Sequence, residues 1–164
     1  MRLRIMAAIS VCGLALLALC PSAAGAFTYS GAGMRAGFLD AQDADVAPVI
    51  SGHVEFEQSG TRWNFMPSIS YWDGGRLSDL MGNFDTYYDL GDGSLVSPYL
   101  GAGVGLHHFD FEGPGESSTH LGANLFGGVR LPGPSNHYFL EGRYTASRYS
   151  QIAILAGLTF GYAR

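Results

Sequence analysis

From residue 95 to residue 162 the chain alternates apolar with small or polar residues in four successive runs. In LVSPYLGAGVGLHHFDF (95–111), Pro98, Leu100, Ala102, Val104 and Leu106 share one face, and Tyr99, Gly101, Gly103, Gly105 and His107 share the other. STHLGANLFGGVRLP (118–132) sets Leu121, Ala123, Leu125 and Val129 against His120, Gly122, Asn124, Gly128 and Arg130. The last run sets Ile152, Ile154, Ala156, Leu158, Phe160 and Tyr162 against Ala153, Gly157, Thr159 and Gly161, with Phe126 and Leu155 as apolar exceptions on the weaker face. A period of two is the strand period, so these runs predict antiparallel sheet. The weaker face decides the class. A strand face turned to water is rich in Lys, Glu and Thr and poor in Gly, yet here it is mostly Gly, Ala, Asn and His. That is the composition of the cramped inside of a small closed barrel whose apolar face is turned to lipid.

The same reading extends backward. Strands are predicted at 30–40, 44–58, 62–72 and 81–90, ahead of those at 95–111, 118–132, 135–147 and 149–163. Eight is an even number, as an up-and-down transmembrane β-barrel with both ends on one side requires. Val46, Pro48, Ile50, Val54 and Phe56 form an outward face on the second strand, and Trp63, Phe65, Pro67, Ile69 and Tyr71 one on the third. Phe84, Tyr88 and Leu90 do the same on the fourth, and Tyr138, Leu140 and Tyr144 on the seventh. Proline cannot donate to a ladder, so Pro48 and Pro67 are expected at bulges or ladder ends. Connections after strands two, four and six read as tight turns, the last at Pro132–Pro134. Those near 40–45, 73–81 and 110–117 read as longer, acidic outer loops, while the one near 146–148 is short.

Arg2 and Arg4, an apolar stretch from Ile5 to Leu19, and Ala24 and Ala26 before Phe27 have the form of an export leader at 1–26, leaving 27–164 as the barrel domain. Both cysteines, Cys12 and Cys20, fall in the leader, so the exported chain has no disulfide or thiolate metal site. The formal net charge is −5, and with the leader removed seven Arg face fourteen acidic residues. Such a surface excludes nucleic acid as a partner. Every basic residue is Arg.

The inward register holds Arg35, His53, Glu55, Arg62, Asn64, Asp85, Tyr87, His107, Asn124, Arg130, Glu141 and Arg143. In an eight-stranded barrel side chains fill the lumen, so opposite charges there must pair. The polar network expected is Arg35, His53, Glu55, Arg62, Asp85, Arg130, Glu141 and Arg143. Its pairs are Glu55 with Arg35 or Arg62, Asp85 with Arg62, and Glu141 with Arg130 or Arg143. No catalytic, cofactor or metal site is expected. The five histidines show no metal-ligand spacing, and His107 and His108 point to opposite faces of one strand. Ser117, Ser118 and His120 place a nucleophile near a base without an orienting acid.

PYLGAGVGLHHF (98–109), FLEGRY (139–144) and ILAGLTFGY (154–162), together with the leader, resemble the small outer-membrane β-barrel superfamily of OmpX-like and opacity-type proteins. The resemblance implies a bacterial outer-membrane location, outer-membrane lipid as surroundings and the barrel assembly machinery as the partner in insertion. It also implies a non-enzymatic role in envelope integrity, surface protection or adhesion. One departure is the C-terminus, where Phe160 and Tyr162 are followed by Ala163 and Arg164 instead of ending on an aromatic. Two alternatives stand beside it. A lipid A deacylase barrel uses a His-x-Ser pair, which this chain replaces by Gly122 after His120 and Phe139 after His137. A soluble lipocalin-like binder needs the inside-out sense of the same alternation.

Overall fold

The computed structural model describes residues 27–91, 96–111, 117–133 and 135–161. The leader at 1–26, Glu112 and Glu116, and the C-terminal Tyr162, Ala163 and Arg164 lie outside the described residues. Eight strands follow in chain order: β1 (Phe27–Ala41), β2 (Ala47–Gln58), β3 (Trp63–Asp73), β4 (Leu77–Asp89), β5 (Ser97–Phe111), β6 (Ser117–Pro132), β7 (Asn136–Ala146) and β8 (Gln151–Phe160). Each pairs antiparallel with its sequence neighbour, and β1 pairs with β8, closing the ring.

Alternation in the sequence becomes alternation in burial. Along β2 the odd positions from Ala47 to Glu55 are buried, while Pro48, Ile50 and Gly52 are exposed. Outside stand Met34, Phe38, Ile50, Ile69, Leu100, Val104, Leu121, Leu125, Leu140, Ile152 and Ile154, all well exposed. Many large apolar side chains turned outward on every strand are a surface for hydrocarbon, not for water. With 10 to 16 residues each, the strands are long enough to cross a bilayer at a tilt. Near the chain termini a band of rings girds β1 to β4, with Phe56 and Phe65 6.3 Å apart, Phe65 and Phe84 6.4 Å apart, and Trp63 and Tyr88 5.2 Å apart. Amphipathic rings gather at this level of a membrane barrel.

The prolines sit at breaks in the ladder. The β2–β3 pairing begins at Val49 opposite Trp72, just past Pro48, and it skips Pro67 between His53–Ser68 and Phe56–Phe65. Register is the same on both sides of the gap, so Pro67 interrupts the hydrogen bonding without a bulge. The shift the structure does contain is in β1, between Tyr29 and Gly31.

The connections differ from the sequence expectation. β4 starts at Leu77, and the turn after β3 is only residues 74–76, closed by the Gly74 N–H donating to the Leu77 carbonyl at 3.0 Å. Gly75 takes φ +83° there, where its N–H also reaches Asp73 Oδ1 at 2.8 Å. Residues 77–81, read as part of an acidic loop, are strand because Leu77, Asp79 and Met81 all point into the barrel. Long outer loops on one side and tight turns on the other are thus not what the described chain shows.

Candidate functional site in the barrel lumen

Two apolar clusters bracket the interior. At the end with the connections after β1, β3, β5 and β7, Leu39, Val49, Trp72, Leu77, Met81, Phe109 and Leu155 form a cap, with Ala44, Phe111 and Tyr149 packed against it. Toward the termini Met66, Tyr87, Tyr99, Phe126 and Phe139 form the second cluster. The exceptions on the weak face of the sequence, Phe126 and Leu155, are accordingly lumen-filling residues.

Between them lies a connected set of charges. Glu141 is the hub: Arg35 Nη1 and Arg143 Nε each donate to its Oε1 at 3.0 Å, and the Tyr99 hydroxyl donates to its Oε2 at 3.0 Å. Arg143 Nη1 lies 2.8 Å from Asp85 Oδ2, and its guanidinium sits 4.4 Å over the Phe126 ring. Asn124 Nδ2 donates to Asp85 Oδ1 at 3.0 Å. Arg35 continues to Ser68 Oγ at 3.0 Å and Ser51 Oγ at 3.3 Å. Nearer the termini Arg130 bonds Asp89 Oδ2 at 3.3 Å and the Tyr87 hydroxyl at 2.6 Å.

Histidines make two further groups. His107 Nδ1 lies 2.7 Å from Asp79 Oδ2, and Gln151 Nε2 donates to that same oxygen at 3.0 Å. Glycine makes room for this imidazole. A Cβ at Gly105 or Gly122 would stand 2.9 or 2.7 Å from His107 Nε2. Around Glu55 Oε1 converge His137 Nε2 at 3.5 Å, His53 Nε2 at 3.7 Å and the Thr159 hydroxyl at 3.2 Å.

Of the sequence-predicted network, Arg35, His53, Glu55, Asp85, Arg130, Glu141 and Arg143 are all buried. Arg62 is not among them: it lies exposed in the β2–β3 turn. Counting alternation through that turn misplaced it, because Gly60 at φ +77° reverses the chain and ends the period of two. The expected partners also change. Asp85 meets Arg143 in place of Arg62, Glu141 meets Arg143, one of its two expected partners, and Arg35 in place of Arg130, and Glu55 meets two histidines in place of an arginine. Three buried titratable residues were missed. His137 has the parity of Glu141 and Arg143 and Asp89 that of Asp85 and Tyr87, which would have found them; Asp79 was hidden by its assignment to a loop.

The interior is filled. A cavity of about 20 Å³, room for about one water, remains among Arg35, Ser70, Asn83, Arg143, Thr145 and Gln151. No group of three or more His, Cys, Asp or Glu side chains is placed to hold a metal ion among the described residues. Ser118 and His120 share the inward parity of β6, but His120 Nε2 faces Arg148 Nη1 at 3.3 Å, and among the described residues it contacts no carboxylate.

No protein-family model matches the chain, and no curated protein matches it. Solved structures do. Neisserial surface protein A (NspA) is similar with a TM-score of 0.66 at 17% identity, over 80% of this chain and 96% of that one. The N-terminal β-barrel domain of Pseudomonas aeruginosa OprF is similar with a TM-score of 0.65 at 12% identity, over 81% of this chain and 98% of that one. The chain has the fold of the small eight-stranded outer-membrane β-barrels.

Proposed function

We propose that this chain is a structural barrel of the bacterial outer membrane, without enzymatic activity, that serves envelope integrity or surface protection. The observation that carries the reading is the combination of a lipid-facing sleeve on all eight strands with an interior packed by paired charges and two apolar clusters. A filled lumen favours a wall element over a pore. Connections of three to five residues after β1, β3 and β7 favour a role in the membrane over adhesion through projecting loops. Insertion through the barrel assembly machinery belongs to the same proposal, and the similarity of fold to outer-membrane barrels supports it.

Fractionation followed by gel electrophoresis tests this. The expected result is an outer-membrane band that runs faster unheated than boiled, since a closed barrel resists detergent until heated. Planar bilayers containing the protein should show no steady conductance, and cells lacking it should become more sensitive to detergent. A soluble periplasmic band or a reproducible open channel would overturn the reading. So would release of fatty acid from lipid A that disappears in His120→Ala or Ser118→Ala.

A further inference from the structure

On the inner wall of β7 and β8, Thr145 pairs with Gln151 and Arg143 with Ala153, so Arg143 and Gln151 face each other diagonally across the ladder. All four side chains are buried, and all four line the cavity of about 20 Å³. Ala153 keeps that space open, because its side chain is short where it stands beside Arg143. Arg143 and Gln151 each keep one buried polar atom without a hydrogen-bond partner, Nη2 of the arginine and Oε1 of the glutamine.

The rest of each side chain is committed. Arg143 gives Nε to Glu141 and Nη1 to Asp85. Gln151 Nε2 donates to Asp79 Oδ2 at 3.0 Å. A carboxylate oxygen only accepts, so the amide cannot be turned over, and Oε1 is fixed as the free end. A donor and an acceptor are therefore both left over on the walls of one small cavity. Buried groups of this kind are costly unless something bonds them, and in protein interiors that is commonly a water.

We propose that the cavity is a binding site for one resident water molecule, which accepts from Arg143 Nη2 and donates to Gln151 Oε1. Size and charge select the ligand. About 20 Å³ holds one water and nothing larger. The guanidinium repels a cation, and the amide oxygen repels an anion such as chloride, whose charge Glu141 and Asp85 already supply to Arg143. The second hydrogen of the water has an acceptor too. The Thr145 hydroxyl donates its own hydrogen to Asn124 Oδ1 at 2.9 Å, which leaves its oxygen free to accept. Three bonds is the usual complement of a buried water. Leu39, Val49, Met81 and Leu155 of the cap close the remaining walls, so the molecule exchanges slowly with solvent.

The water has a structural consequence. Direct bonds tie Gln151 to Asp79 and His107 under the cap, and Arg143 to Glu141, Arg35 and Asp85 in the middle of the lumen. Bridged by the water, the two groups form one network.

A crystal structure of the wild-type barrel that resolves ordered water should show one peak within about 3 Å of both Arg143 Nη2 and Gln151 Oε1. Magnetic relaxation dispersion of the water nuclei, measured on the barrel in detergent micelles, should count one long-lived molecule fewer in Ala153→Val, whose added methyl groups fill the space. If that variant does not close, the wild-type crystal structure decides. Absence of a peak between the two atoms would overturn the site, and so would an anomalous peak there after a bromide soak, which would make the occupant an anion. An unchanged count in an Ala153→Val barrel that still shifts on heating would overturn it as well. None of these outcomes bears on the envelope role.

Discussion

At the end bearing the odd-numbered connections, the inward positions are mostly apolar, Leu39, Val49, Trp72, Leu77, Met81, Phe109 and Leu155 around the Asp79–His107 pair, whereas the middle and the terminal end hold Arg35, Glu141, Arg143, Glu55, Arg130 and Asp89. The cap excludes water by area, and its contacts are many, small and interchangeable. The polar part works by stoichiometry, each donor matched to an acceptor across the lumen, so that one lost group strands its partners. The two ends should therefore respond differently to single substitutions.

The largest effect is expected at the hub. Glu141→Gln removes the charge between Arg35 and Arg143 and leaves only Asp85 to offset both, so the barrel should lose about 3–5 kcal/mol, read as a shift in urea midpoint in lipid vesicles. In the cap, Leu77→Ala should cost about 2–5 kcal/mol through lost contact and a residual cavity, read as a shift in the same urea midpoint. Arg62→Gln, on the exposed β2–β3 turn, should stay within about 0.5 kcal/mol of wild type. A loss there as large as at Glu141 would return Arg62 to the lumen.

Parity along a strand was legible in the sequence and pairing was not. Alternation alone placed Arg35, Glu55, Asp85, Glu141 and Arg143 inside, because a side-chain period of two needs no tertiary information. Which acid meets which arginine depends on the stagger of strands around the ring. Arg35 and Glu141, 106 residues apart, become partners only once β1 and β7 flank the closing strand β8. Strand ends were the weaker part. Ser78 and Asp79 look like a loop by propensity, and strand geometry prevails there because Asp79 gains His107 and Gln151 as partners. Turn glycines such as Gly60 and Gly75 end the alternation, which is why Arg62 was carried to the wrong side.

The seam between β1 and β8 joins the first strand to the last, from Ala32 opposite Phe160 to Ala41 opposite Gln151. The same final strand carries Gln151 to Asp79 and Thr159 to Glu55. A chain that stops one strand short therefore leaves two raw sheet edges and deprives both histidine-bound carboxylates of a neighbour at once. A product truncated before β8 therefore has no closed resting form and stays open to proteolysis.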